Sequence, residues 1–266
     1  MSRPSTRLRL GAVTLGASAL LFAAFPLVRP FFRLDVFSPT LAAVASGPLA
    51  SPSWVIAHLL LTAAFALLPC GLLALYASLA DGPAEARALR GLVLGVAGTG
   101  LVVPAVGVEV FAMPVIGGLY LDGVTGVAPA LASIYRGPMT LVMIVGLITL
   151  AVGAIDLAGA VWRSRSLPRW AGITLAIGLS LWLPLLPRPI RVMDGMLIGL
   201  GGVRLAWGIW RKGHVEGERG SSIDERHNGD AAPGAAVRRA EAGGPSRGCA
   251  YIVYGVEDTA PCMTWP

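Results

Sequence analysis

Six apolar runs, each near the length that crosses a bilayer, decide what this chain can fold into. A helix rising 1.5 Å per residue needs about 20 apolar residues to span roughly 30 Å of hydrocarbon. Residues 10–28, 54–79, 91–113, 139–162, 171–187 and 193–210 meet or approach that length. The last two are the shortest and are separated by only 188–192, with Pro187 and Pro189 punctuating the turn of a tight helical hairpin. The expected fold is all-α: a polytopic transmembrane bundle of six spans over residues 1–212. Charged residues make up 14% of the chain, well below the quarter usual in soluble domains, which points the same way.

Charge placement sets an expected orientation. Up to Lys212 there are sixteen Lys and Arg against seven Asp and Glu, and beyond it five against eight. An N-terminus inside puts Arg3, Arg7, Arg9, Arg87, Arg90, Arg163, Arg165, Arg169, Arg211 and Lys212 on the cytoplasmic side. Arg29, Arg33, Arg136, Arg188 and Arg191 then lie outside. Trp162, Trp170 and Trp210 mark one interface and Trp54 the other. Both termini are therefore expected in the cytoplasm and the chain in a bacterial inner membrane. A cleaved signal peptide is the alternative for the first run, since Arg3, Arg7 and Arg9 precede it, but no A-x-A site follows and residues 26–32 stay apolar. The basic residues flank apolar spans and no basic patch is interleaved with aromatics, so the partner they suggest is the lipid bilayer and not nucleic acid.

Between spans, 29–53 and 114–138 are long enough to be more than connectors. The second holds Gly117, Gly118, Gly123 and Gly126 among apolar residues; a plain periplasmic loop is expected, with a re-entrant segment as the alternative. After Lys212 the apolar pattern stops, and residues 213–266 are expected to be a disordered cytoplasmic tail. Cys249 and Cys262 in that tail match no zinc signature, and Cys70 lies inside a span.

Four of the runs carry an ionisable residue well inside, at a cost of about 2.5–3.5 kcal/mol for Asp or Arg at mid-helix. Counted along the expected orientation, they fall into two depth-matched pairs. His58 and Glu109 both lie about 7–8 Å below the outer boundary, at 1.5 Å per residue. They are a candidate ligand- or proton-binding couple, or else an interfacial tie between two helices. Asp156 and Arg204 each lie six residues before a tryptophan on two spans running the same way, and are expected to form an intramembrane ion pair. His58 is the only histidine in the spans, so no metal or haem ligand set forms, and no cofactor is expected. No catalytic residue is assigned.

Gly91 with Gly95, and Gly195 with Gly199, have the four-residue spacing that lets helix backbones approach, either within the bundle or in a contact with a membrane-protein partner or a second copy. The stretches 91–95 and 195–199 align, as do Gly98 with Gly202, Leu101 with Leu205, and Trp54 and Pro69 with Trp170 and Pro184. Three spans per unit makes this a possible 3+3 inverted repeat, the architecture of many secondary transporters. Pro69, Pro104 and Pro184 could each break a helix there.

The segment Leu167-Pro168-Arg169-Trp170-Ala171-Gly172, followed by Leu175-Ala176-Ile177-Gly178, resembles one found in uncharacterised bacterial multipass membrane proteins. The stretch 54–76, with His58 and Gly71-Leu72-Leu73-Ala74-Leu75-Tyr76, is similar to them too. The resemblance implies a multipass fold and no assigned activity. The expected function is a non-enzymatic accessory or assembly subunit; a small transporter or proton-coupled carrier using His58 and Glu109 is the alternative.

Overall fold

The computed structural model describes residues 4–30, 47–80, 82–182 and 187–229. Among these there is no strand, and the helices of ten residues or more are α1 (Pro4–Val28), α2 (Pro52–Leu79), α3 (Glu85–Leu121), α4 (Val127–Arg136), α5 (Pro138–Ser164), α6 (Arg169–Leu181) and α7 (Arg188–Gly229). Five stretches are long and apolar enough to cross a membrane: Thr6–Val28, Pro52–Leu79, Glu85–Leu121, Pro129–Ser164 and Arg188–Val215. The expected fifth span is α6, a helix of 13 residues. It rises only about 20 Å, so it falls short of the hydrocarbon thickness. Residues 183–186 of that expected span, with Pro184, lie outside the described residues.

Local chemistry explains several boundaries. Ser51 caps α2 by accepting from the Trp54 amide, and Pro52 sits in the first turn, where a missing N–H costs nothing. Pro138 likewise occupies the first turn of α5, after Gly137, which makes no side-chain cap, and Arg165 ends the helix in the left-handed conformation at φ 54°. Helices α2 and α3 run through Pro69 and Pro104 without interruption.

Two expectations are corrected. Residues 114–138 are not an open loop: α3 continues through Pro114 to Leu121, and α4 follows after a turn carrying Gly123 and Gly126 at positive φ. Proline keeps a helical φ and removes one N–H, so one proline does not end an otherwise apolar helix. Likewise α7 does not stop near Trp210 but runs to Gly229. The chain divides by contacts into Met1–Arg219 and Gly220–Pro266, and the described part of the second unit is the end of α7. The rest of the expected tail, with Cys249 and Cys262, lies outside the described residues, as do residues 31–46 with Arg33.

Within the first unit, small residues bring successive helices together antiparallel. Gly71 of α2 faces the Leu15 backbone of α1, and the Ser18 hydroxyl donates to the Ala64 carbonyl at 2.8 Å. Leu72 of α2 reaches Gly95 of α3. Gly91 and Gly98 of α3 lie against the α5 backbone, and Gly153 of α5 against Gly91 and Gly95. Gly172 of α6 meets Val161, and Gly201 of α7 meets Leu175 of α6. The ring closes where Gly195, Gly199 and Gly202 of α7 lie on Phe22, Ala23 and Ala19 of α1. At one end of this last contact the Arg9 guanidinium stands 5.4 Å from the Trp210 ring centre. The order is therefore α1–α2–α3–α5–α6–α7 and back to α1.

Large aliphatic and aromatic side chains fill the centre, among them Leu15, Phe22, Phe65, Leu72, Leu150, Ile198 and Leu205. Others lie exposed around the outside, including Leu10, Leu20, Ile56, Leu73, Val93, Phe111, Leu141, Ile148, Ile155 and Leu200. An apolar exterior on helices of this length suits hydrocarbon and not water.

Candidate functional site

The residues with the most unusual surroundings collect at one end of the ring, around the first turns of α2. The Ser51–Pro52 start fixes where α2 begins, and one turn later it turns Trp54 and His58 inward, four residues apart on one face. The Trp54 indole N–H donates to the Glu109 carbonyl at 2.9 Å, tying α2 to α3. His58 is 3% exposed; its Nδ1 is 2.8 Å from the Trp54 carbonyl and its Nε2 is 3.9 Å from Glu109 Oε2. The Trp54 ring lies 4.3 Å from the imidazole at a 30° tilt, and Phe25 of α1 meets it edge-on at 5.3 Å. Trp54 and Phe25 together enclose the His58 ring.

Glu109 is held from a second side. The Tyr135 hydroxyl of α4 donates to Glu109 Oε1 at 3.0 Å and lies 3.9 Å from Met113 Sδ. Helix α4 reaches this point because Leu131, Ile134 and Tyr135 fall on one helix face and pack with Trp54 and Met113 in a small cluster of their own. Arg29, just past the end of α1, stacks 4.8 Å over Trp54 and 5.9 Å from Phe25. Burial among these rings pulls its guanidinium below the usual arginine range, and the charge of Glu109 opposes that shift.

On the α7 side, buried Arg191 lies 5.9 Å from Phe25, and Asp194, one turn on, is 2% exposed. Neither Asp194 Oδ1 nor Glu109 Oε2, both buried, has a hydrogen-bond partner among the described residues. One end of the bundle thus gathers two carboxyls, two guanidiniums, an imidazole and a phenol. That set can hold a proton or a small ion, and it can equally lock five helices together.

The structure brings His58 and Glu109 to one place; Asp156 and Arg204 it does not. Asp156 accepts from Arg90 at 2.6 Å (Nε) and 2.7 Å (Nη2), and from Arg87 Nε at 3.2 Å. Arg204 is exposed on α7. The reason for this correction is ring order: α6 stands between α5 and α7, whereas α3, with both arginines in its first two turns, lies directly against α5. Equal depth on parallel helices does not make neighbours.

Six polar residues of this picture carry no site assignment from the sequence alone. Arg87 and Arg90 resembled loop charges, although their i, i+3 spacing just before Gly91 marks the helix face that packs on α5. Asp194 sits at the edge of its run, and Arg29, Tyr135 and Arg191 lie in stretches that read as connectors. Among the described residues no group of three His, Cys, Asp or Glu could hold a metal. The four glycines whose spacing suits a helix contact, Gly91, Gly95, Gly195 and Gly199, are buried inside this chain. An oligomer through them would require the bundle to open.

The chain matches no protein-family model, and comparison with curated proteins and with solved structures finds no similar chain.

Proposed function

We propose that the chain is a multipass protein of a bacterial inner membrane, with both termini cytoplasmic, serving as a non-enzymatic accessory or assembly subunit. The observation that carries this reading is the packing of His58. Its ring is closed in by Trp54 and Phe25, and Nδ1 is engaged by a backbone carbonyl. Its surroundings are those of an interhelix tie, in which polar groups placed in apolar helices join α1 through α4. A sixth crossing by α6 fits this reading, since its two neighbours run opposite to it. The resemblance of residues 167–178 to uncharacterised multipass proteins fits as well. The test is to isolate the full-length chain from its native membrane under mild detergent. A stoichiometric membrane-protein companion, lost when His58 and Trp54 are both replaced by alanine, is the expected result; a chain that comes out alone in every preparation overturns it.

A second reading, a small transporter or proton-coupled carrier using His58 and Glu109, is favoured by two buried carboxyl oxygens, Glu109 Oε2 and Asp194 Oδ1, with no hydrogen-bond partner among the described residues. A 3+3 inverted repeat would support it. Gly91, Gly95 and Gly98 line the α3–α5 contact as Gly195, Gly199 and Gly202 line the α7–α1 contact, which are equivalent places if α1–α2–α3 corresponds to α5–α6–α7. Proton flux into proteoliposomes that disappears in Glu109→Gln separates this reading from the first.

A further inference from the structure

Away from the His58 end, residues of α5 and α6 line an open groove of about 660 Å³. Its walls are apolar, with Ile173 and Ile177 from α6 facing Trp162 and Gly159 from α5, and Ser180 closing the far end. Arg87 of α3 lies at its mouth. Only the Nε of Arg87 is taken by Asp156. The rest of the guanidinium lies flat over Gly159, where an added Cβ would sit 2.6 and 2.7 Å from Nη1 and Nη2. Gly159 thus lets Arg87 pass across α5 and present its two outer nitrogens to the groove.

Charge identifies what fits. Arg87 and Arg90 carry two positive charges against one on Asp156, so the mouth retains a net positive charge. A guanidinium with its outer edge available forks onto a phosphate. Trp162, 41% exposed and edge-on to Trp170 at 5.7 Å, sets this mouth at the level of an aromatic belt. Beyond it the groove is lined for a hydrocarbon chain and has the volume of a ligand pocket.

We propose that this groove holds one acyl chain of an anionic phospholipid whose phosphate is bound by the Arg87 guanidinium. The proposal rests on the membrane reading given above. Native mass spectrometry of the delipidated full-length chain, with phosphatidylglycerol or phosphatidylcholine of identical chains added, tests it. Retention of phosphatidylglycerol should exceed that of phosphatidylcholine by about tenfold, the ratio equivalent to ~1.4 kcal/mol. Arg87→Gln, in which Arg90 still holds Asp156, should bring the two lipids to parity. Ile177→Trp, at an exposed position on the groove wall, should reduce both while leaving thermal unfolding unchanged. Parity in the wild type, or full retention in Ile177→Trp, overturns the proposal, as does complete competition by inorganic phosphate, which would make the site one for a free anion. Release of the chain from membranes by alkaline carbonate would instead overturn the membrane reading, whatever the lipid ratios.

Discussion

Asp156 takes three hydrogen bonds from two arginines one turn apart, and its side chain is 7% exposed while that of Arg90 is 65% exposed. Solvent screening on the arginine side limits what the pair contributes, so Asp156→Ala should lower stability by about 1 kcal/mol. Arg204→Ala, at an exposed site, should change it by less than about 0.5 kcal/mol. Thermal unfolding in detergent reads both; equal losses would restore a role for Arg204 in holding the bundle. At the other end, Tyr135→Phe removes the hydroxyl that donates to Glu109 and should cost about 1 kcal/mol by the same assay. A neutral outcome would show that water replaces the phenol. These residues also mark how far a sequence can be read at this scale. The depth of an ionisable residue follows from counting along its helix, which is why His58 and Glu109 were legible together. The partner of Asp156 depends on which helix lies beside α5, and that information is absent from depth.

Helix existence was legible wherever an apolar run had a chemical start, as with Ser51 and Pro52 before α2. It was obscured where glycine and proline punctuate apolar sequence without ending the helix, as at Pro114, Gly117 and Gly118 in α3. Helix α4 carried a readable signal that glycine masked, since Val127, Leu131, Ile134 and Tyr135 fall on one face between Gly126 and Gly137. The close approach of helices depends on where a Cβ would fall, and α3 offers an internal comparison. A Cβ on Gly98 would run into the backbone of Gly146 and Leu150 on α5, whereas one on Gly100 meets nothing within 4 Å. Gly98→Ala should therefore destabilise the α3–α5 contact by about 1–3 kcal/mol, because backbone must move. Gly100→Ala should be neutral or stabilise by up to about 1 kcal/mol, through helix propensity alone. The two substitutions are chemically identical and two residues apart. Unfolding midpoints that shift alike would mean that the two helices are not packed through their glycines.

At the scale of the molecule, the decisive contact is between the first helix and the last. Gly195 lies on Phe22, Gly202 on Ala19 and Ala206 on Gly16, so residue numbers rise along α7 as they fall along α1. The Arg9–Trp210 contact, and the Lys212 ammonium donating to the Ser78 carbonyl at 2.7 Å, then put the start of α1, the end of α2 and residues 210–212 at the same end of the bundle. A chain of five crossings would bring the two ends out on opposite sides. Antiparallel closure of the ring fits an even number of crossings, and on the proposed reading the short α6, which runs opposite to both α5 and α7, is the sixth. A helix of 13 residues can do this at modest cost if the bilayer thins locally. Reporter fusions before Arg3 and after Lys212 should thus report the same side, and the arginine distribution predicts that this side is the cytoplasm. Fusions at Ala80 and Ser166 should report that side too, and fusions at Gly123 the opposite one. Should the two chain ends report opposite sides, α6 does not cross, and the α1–α7 contact that closes the ring cannot form in the membrane.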